Sequence, residues 1–154
     1  MRPSEINPCD FLAIERLLAL CMHVVDEREW SRLDEIFTVD AVFDATEAGY
    51  MRLEGRDAIY RDWSTSNAHP LTHHVLNTVI TPVGDDAADV VSKGISLFAG
   101  QQSPIRVESA SYPFAALSVS SVTYRDKMVL TADGWRIAVR RGIRRHPDKM
   151  PAPN

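Results

Sequence analysis

Apolar residues recur with two different periods along this chain, and the change of period divides it in half. Phe11, Ile14, Leu17, Leu18, Cys21, Val24 and Val25 keep the three-and-four spacing of one helix face. Asn7-Pro8-Cys9-Asp10 stands in front of them. It supplies a capping side chain, a proline in the first turn and an acid at the positive end of the helix dipole. Together these predict an amphipathic helix ending near Asp26. A second short helix carries Trp30, Leu33, Ile36 and Phe37, and Ala41-Val42-Phe43 reads as a short strand. Gly55 to Trp63 reads as a third helix, with Ile59 and Trp63 four apart on one face.

From Thr72 onward the pattern is that of strands bounded by turn residues. His73 to Val83 forms one, Gly84-Asp85-Asp86 turns the chain, and Ala88 to Ala99 forms the next. Residues 101 to 111 are a polar connection. Phe114 to Leu130 and Trp135 to Arg145 make a closing hairpin around Asp133-Gly134, a dipeptide suited to positive φ. Residues 1–6 and 146–154 read as loose arms, the latter carrying His146-Pro147 and Pro151-Ala152-Pro153. Helices first and an antiparallel sheet after them predict an α+β class with helices packed on one sheet face. No repeat or linker interrupts residues 1–154, so a single domain is expected, with its core between about residues 10 and 145.

The hairpin carries an inference about charge. With Asp133 and Gly134 as central turn residues, Ala132 pairs with Trp135, Met128 faces Val139, and Asp126 faces Arg141. An acid among apolar neighbours needs a partner. An Asp126–Arg141 ion pair is therefore expected inside the sheet's concave face or at its rim.

Composition narrows the functional classes. The 154 residues are 45% hydrophobic and 25% charged, with a formal net charge of −4, so nothing points to nucleic acid. The basic run Arg140-Arg141-Gly142-Ile143-Arg144-Arg145 reads mostly as a solvated edge. Cys9 and Cys21 sit on one predicted helix, about 18 Å of rise apart, well beyond disulfide reach. Met1-Arg2-Pro3-Ser4-Glu5 lacks the apolar core of a signal peptide, and the apolar runs are too short to span a bilayer. A cytoplasmic location and no membrane partner are expected.

The candidate chemistry joins two separated segments. Asp26 closes the first helix, and Thr72-His73-His74 opens the long strand. A carboxylate against an imidazole is a proton-transfer device, because histidine titrates near neutral pH. Adjacent strand residues point to opposite faces, so only one of His73 and His74 serves a pocket. Alternation does not choose between them, since both rows of the strand are similarly mixed. Asp26 could orient the imidazole or cap the following helix. His23, three residues earlier, is a further candidate for the cluster. Two adjacent strand histidines cannot both reach one ion, so no metal is expected. No glycine-rich phosphate loop or nucleophile elbow is present, and no cofactor is expected.

The ordered string of these pieces resembles a known family. An apolar helix ending in Asp26 is followed by Glu29-Trp30, Leu33, Phe37, Asp40-Ala41-Val42-Phe43 and Glu54-Gly55-Arg56-Asp57-Ala58-Ile59. Thr72-His73-His74, Tyr124-Arg125-Asp126 and Asp133-Gly134-Trp135-Arg136-Ile137 complete it. This looks like the SnoaL-like branch of the nuclear transport factor 2-like superfamily, over roughly residues 10 to 145. The resemblance implies a cone-shaped, strongly curved antiparallel sheet wrapped by the N-terminal helices around a mostly apolar pocket. Within the superfamily the scytalone dehydratase branch is similar in function. Asp26 and His74 match its acid–histidine positions. Its two tyrosines correspond to Val25 and Ala45 here, and no second histidine stands near Leu97 to Gly100, so scytalone itself is not the expected substrate. Tyr50, Tyr60, Trp63, Phe43 and His73 fall where such a pocket is lined.

The resemblance implies a cofactor-independent lyase, isomerase or cyclase of the dehydratase or polyketide-cyclase kind. It would act on a small apolar carbonyl compound, with His74 and Asp26 as the catalytic pair. Such enzymes belong to secondary metabolism. The alternative is a non-catalytic ligand-binding or subunit-assembly module of the same fold. Alternating Val and Ile on an outer sheet face suggest a homo-oligomer, a dimer or trimer.

Overall fold

The computed structural model describes residues 6–66, 69–99 and 117–144. The polar connection expected at 101–111, the first residues of the strand expected from Phe114, and nearly all of both arms lie outside them. Helix α1 (Pro8–Asp26) starts where the capping signal predicts: the Asn7 side chain accepts from the backbone N–H of Cys9 at 2.8 Å and of Asp10 at 3.1 Å. Its buried face is Ile14, Leu17, Leu18, Cys21, Met22, Val24 and Val25. A 3₁₀ turn (Trp30–Glu35) leads into β1 (Phe37–Asp44), which begins earlier than Ala41 and takes in Phe37. After a second 3₁₀ turn come β2 (Arg52–Glu54), which has no periodic signature, and α2 (Arg56–Thr65). Strands β3 (Thr72–Pro82), β4 (Ala87–Ala99), β5 (Leu117–Thr131) and β6 (Gly134–Arg144) follow.

The six strands form one curved, unclosed sheet in the order β2-β1-β6-β5-β4-β3. It is mixed rather than wholly antiparallel, because β1 lies parallel to β6. The helices pack on its inner face over a core built on Ile14, Leu18, Phe37, Ile59, Val90, Met128 and Ile137. Trp63 sits edge-on to Phe43, Phe37 and Trp30, with ring centroids 5.1, 5.9 and 6.2 Å away. Trp135 donates its indole N–H to Asp10 at 2.8 Å, tying the closing hairpin to the start of α1.

Two bulges set which side chains face inward. In β3 the pairing shifts between Leu76 and Val79, with Asn77 at φ 53°. His73 and Val75 therefore face in before the bulge, and Ile80 faces in after it. In β6, Met128 pairs with Ile137 but Lys127 pairs with Val139, so Ala138 has no partner. An extra residue reverses the facing of everything beyond it. The hairpin turn also differs from expectation: Thr131 pairs with Gly134, leaving Ala132 and Asp133 as the loop.

The end of α1 is a left-handed cap. The Arg28 N–H donates to the Val25 carbonyl at 3.2 Å and the Glu29 N–H to the Val24 carbonyl at 2.9 Å, the paired closure that usually carries glycine. Arg28 occupies the left-handed position at φ 58°, where a Cβ is unfavourable. Replacing Arg28 by glycine removes that strain and loosens the unfolded chain, two opposed effects of similar origin. Arg28→Gly is expected to raise unfolding stability by about 0.5–1 kcal/mol, read by urea denaturation. A loss of stability contradicts this reading of the cap.

Candidate functional site

The carboxylate that ends α1 is fully engaged by the start of β3. Asp26 Oδ1 lies 2.5 Å from His73 Nδ1, and Asp26 Oδ2 accepts from the His73 backbone N–H at 2.9 Å and from Thr72 Oγ1 at 3.3 Å. Both side chains are largely buried, at 12% and 13% exposure. An ionised carboxylate only accepts, so Nδ1 carries the proton and Nε2 holds the lone pair in the neutral ring. Asp26 does not cap the next turn, whose N-cap residue is Glu29 and has no side-chain cap.

The imidazole that meets Asp26 is thus His73, and the expected pairing with His74 is corrected. His74 is exposed on the opposite face of β3. It lines a groove of about 380 Å³ between α1 and β3, together with His23 and Glu27. His23 is exposed there and does not join the inner cluster. The resemblance puts His74 against Asp26, and alternation could not correct it because of the bulge at Asn77. It flips the facing of the strand partway along, so neither alternating row was uniformly apolar.

His73, which with Asp26 also borders that groove, faces an inner cavity of about 280 Å³ as well. The wall on the α1 side is Cys21, Met22 and Val25; Phe43, Trp63 and Tyr50 close another side; Phe98, Val122 and Tyr124 come from the sheet. Phe43, Trp63 and Tyr50 are thus brought together with His73. Tyr50, at the mouth, donates to Asp62 at 3.3 Å. Tyr60 is not part of the lining; it lies exposed on α2, because Ile59 and Trp63 take that helix's buried face. His69 also lines the cavity. Its Nε2 lies 2.7 Å from the Trp63 carbonyl, and its ring lies 5.0 Å from that of Trp30. It sits in a short segment before Pro70 and has no periodic signal.

Arg140 lines the cavity as one member of a charged pair, one residue away from the expected one. Asp126 pairs with Arg140, not Arg141, because the unpaired Ala138 turns Arg140 inward. The two form a fork, Nε to Oδ1 and Nη2 to Oδ2, each 2.9 Å. Both residues are 2% exposed. Arg141 instead reaches Glu47 at the surface, 2.5 Å away. Arg140 Nη1 donates to the Cys21 sulfur at 3.1 Å, and its guanidinium stacks 4.6 Å from the centre of the Tyr124 ring. Burial opposes the Arg140 charge, but Asp126, together with Cys21 and Tyr124, holds the guanidinium above its ordinary value. Burial pushes the Cys21 thiol up, and Arg140 only partly offsets it. Tyr124 is pushed up to about 12 by burial, so it remains a phenol at neutral pH.

Among the described residues no group of three or more His, Cys, Asp or Glu side chains is gathered to hold a metal ion. No described helix is long and apolar enough to cross a membrane.

The sequence profile of the SnoaL-like domain matches residues 9–141, and the chain belongs to that family. The uncharacterised protein Rv2910c of Mycobacterium tuberculosis is 30% identical over 138 residues, covering 87% of this chain and 83% of its own. Among solved structures, an NTF2-like protein with a cystatin-like fold from Novosphingobium aromaticivorans superposes with a TM-score of 0.71 at 19% identity, over 93% of this chain and 85% of that one. A provisionally assigned scytalone dehydratase from the same organism gives 0.70 at 19% identity, over 90% and 85%. At such identities these two structures speak for the fold.

Removing one member of a buried ion pair strands the other charge. Asp126→Ala is expected to cost about 3–5 kcal/mol, whereas Asp126→Leu with Arg140→Met should cost far less, measured by urea denaturation of both variants. Equal losses contradict the account of the pair.

Proposed function

We propose that this protein is a cofactor-independent lyase, isomerase or cyclase in which His73, held by Asp26, moves a proton on a small, largely apolar carbonyl compound. One observation carries the reading: an imidazole whose Nδ1 is committed to a buried carboxylate lines an aromatic-walled cavity. Its Nε2 is the basic nitrogen. In a dehydration, Nε2 takes the proton beside the carbonyl, and the electron pair delocalises as an enolate. The enolate re-forms the carbonyl and expels a β-hydroxyl group, which receives the proton from the imidazolium and leaves as water. In an isomerisation the same proton returns to a different carbon. Asp26 stabilises the imidazolium and fixes its orientation. The largely apolar walls lower the local dielectric and strengthen these interactions. The likeness to a provisionally assigned scytalone dehydratase supports the dehydratase form.

The test is exchange of α-protons in a panel of small β-hydroxy ketones, followed by NMR in deuterated water, with loss of the hydroxyl measured alongside. His73→Ala is expected to lower the rate on the order of 10²–10⁴-fold, while His74→Ala leaves it near wild type. Loss confined to His74→Ala sinks the assignment.

A second reading, assembly, draws support from exposed apolar residues on the sheet's outer face. Leu76 and Val79 on β3 and Val119 on β5 are among them, at 45%, 61% and 52% exposure. A homodimer through this face is expected in light scattering, and Val79→Lys should weaken it. A monomer at high concentration rejects it.

A further inference from the structure

Arg140 is more elaborately held than an ion pair requires. Nε and one Nη2 proton go to Asp126, and one Nη1 proton goes to Cys21. Arginine carries five N–H donors, so among the described residues two have no protein partner. An unmet donor on so buried a group is costly, yet this guanidinium lines the same cavity as His73. The surroundings fix its plane. Tyr124 lies beneath it, and Gly94 makes room for that ring: a Cβ at Gly94 would fall 2.5 Å from Tyr124 Cε2. A donor locked in place within a low-dielectric site is the arrangement that stabilises charge appearing during a reaction.

We infer that Arg140 receives the oxygen of the bound compound, so that the cavity selects a small carbonyl compound and polarises its C=O while His73 works at the neighbouring carbon. Asp126 already neutralises the guanidinium. The pair therefore has little net charge with which to hold a compound that arrives as an anion. It suits a neutral ketone or aldehyde, whose oxygen gains negative charge only as the enolate forms. Arg140 is then a substrate-touching group and Asp126 its positioning residue. Arg140 lies in a basic run that the sequence alone assigns mostly to a solvated edge.

The inference rests on the proposed reaction for its purpose, but the hydrogen bond itself needs no turnover. The probe is acetophenone labelled with ¹³C at the carbonyl, titrated into the whole protein and followed by NMR. Wild type is expected to give a saturable downfield shift of the carbonyl carbon. His73→Ala should keep that shift, and Asp126→Leu with Arg140→Met should lose it. The paired substitution leaves neither charge buried alone. If the double variant does not fold, the ¹⁵N signals of the Arg140 guanidinium in wild type carry the test, and they should move as acetophenone saturates the site. No saturable shift, a shift lost with His73→Ala but kept in the double variant, or unmoved guanidinium signals overturn the inference. A carbonyl shift without proton exchange in any ketone sinks the proposed reaction alone. Exchange that depends on His73 but shows no carbonyl shift sinks the Arg140 assignment alone.

Discussion

A carboxylate at the last residue of a helix sits against the negative end of the helix dipole, where it is unfavourable by on the order of 0.5 kcal/mol. Asp26 occupies that position and does nothing for the helix it ends. Its cost is offset from elsewhere in the chain, by the His73 ring, the His73 backbone N–H and the Thr72 hydroxyl. That clamp fastens α1 to the edge strand of the sheet. It also fixes the imidazole's tautomer and the direction it faces. The position of the cavity beside α1 and the availability of Nε2 follow from these three hydrogen bonds.

The interior then holds two carboxylates with different tasks. Asp26 is bonded to a group that can gain or lose a proton, whereas Asp126 is bonded to one that cannot. The first arrangement permits proton movement; the second holds a fixed donor. Cys21 and Tyr124 flank the fixed pair, and burial keeps both in their neutral forms at ordinary pH. Proton movement in the cavity is therefore left to histidine.

Most of the architecture was legible because it depends on periodicity and on local capping chemistry. Asn7, Pro8 and the apolar stripe from Ile14 to Val25 located α1 nearly to the residue, and alternation located the four long strands. What pattern could not supply was facing beyond a bulge. Asn77 and Ala138 each add one residue to a strand, and each reverses the side on which a critical group emerges. Arg141 for Arg140 is a single-residue error of this kind, whereas His74 was taken over His73 from the resemblance, because the shift at Asn77 leaves neither row of β3 uniformly apolar. Asn77 offered a faint cue, since asparagine tolerates the left-handed conformation it adopts; Ala138 offered none. The parallel pairing of β1 with β6 was hidden for another reason. It joins strands far apart in sequence, and a short strand followed by a helix does not announce its partner. The resemblance alone put Tyr60 in the lining; Ile59 and Trp63 take the buried face of α2 and leave Tyr60 exposed.

Which histidine nitrogen faces the cavity with its lone pair is read directly by long-range ¹H–¹⁵N NMR of the imidazole rings. The expected spectrum near neutral pH has His73 protonated on Nδ1, with an unprotonated Nε2 whose shift changes when a ketone fills the cavity. Asp26→Ala should release that tautomer preference. A His73 ring protonated on Nε2, or one indifferent to the loss of Asp26 while His74 responds to ligand, would contradict the account.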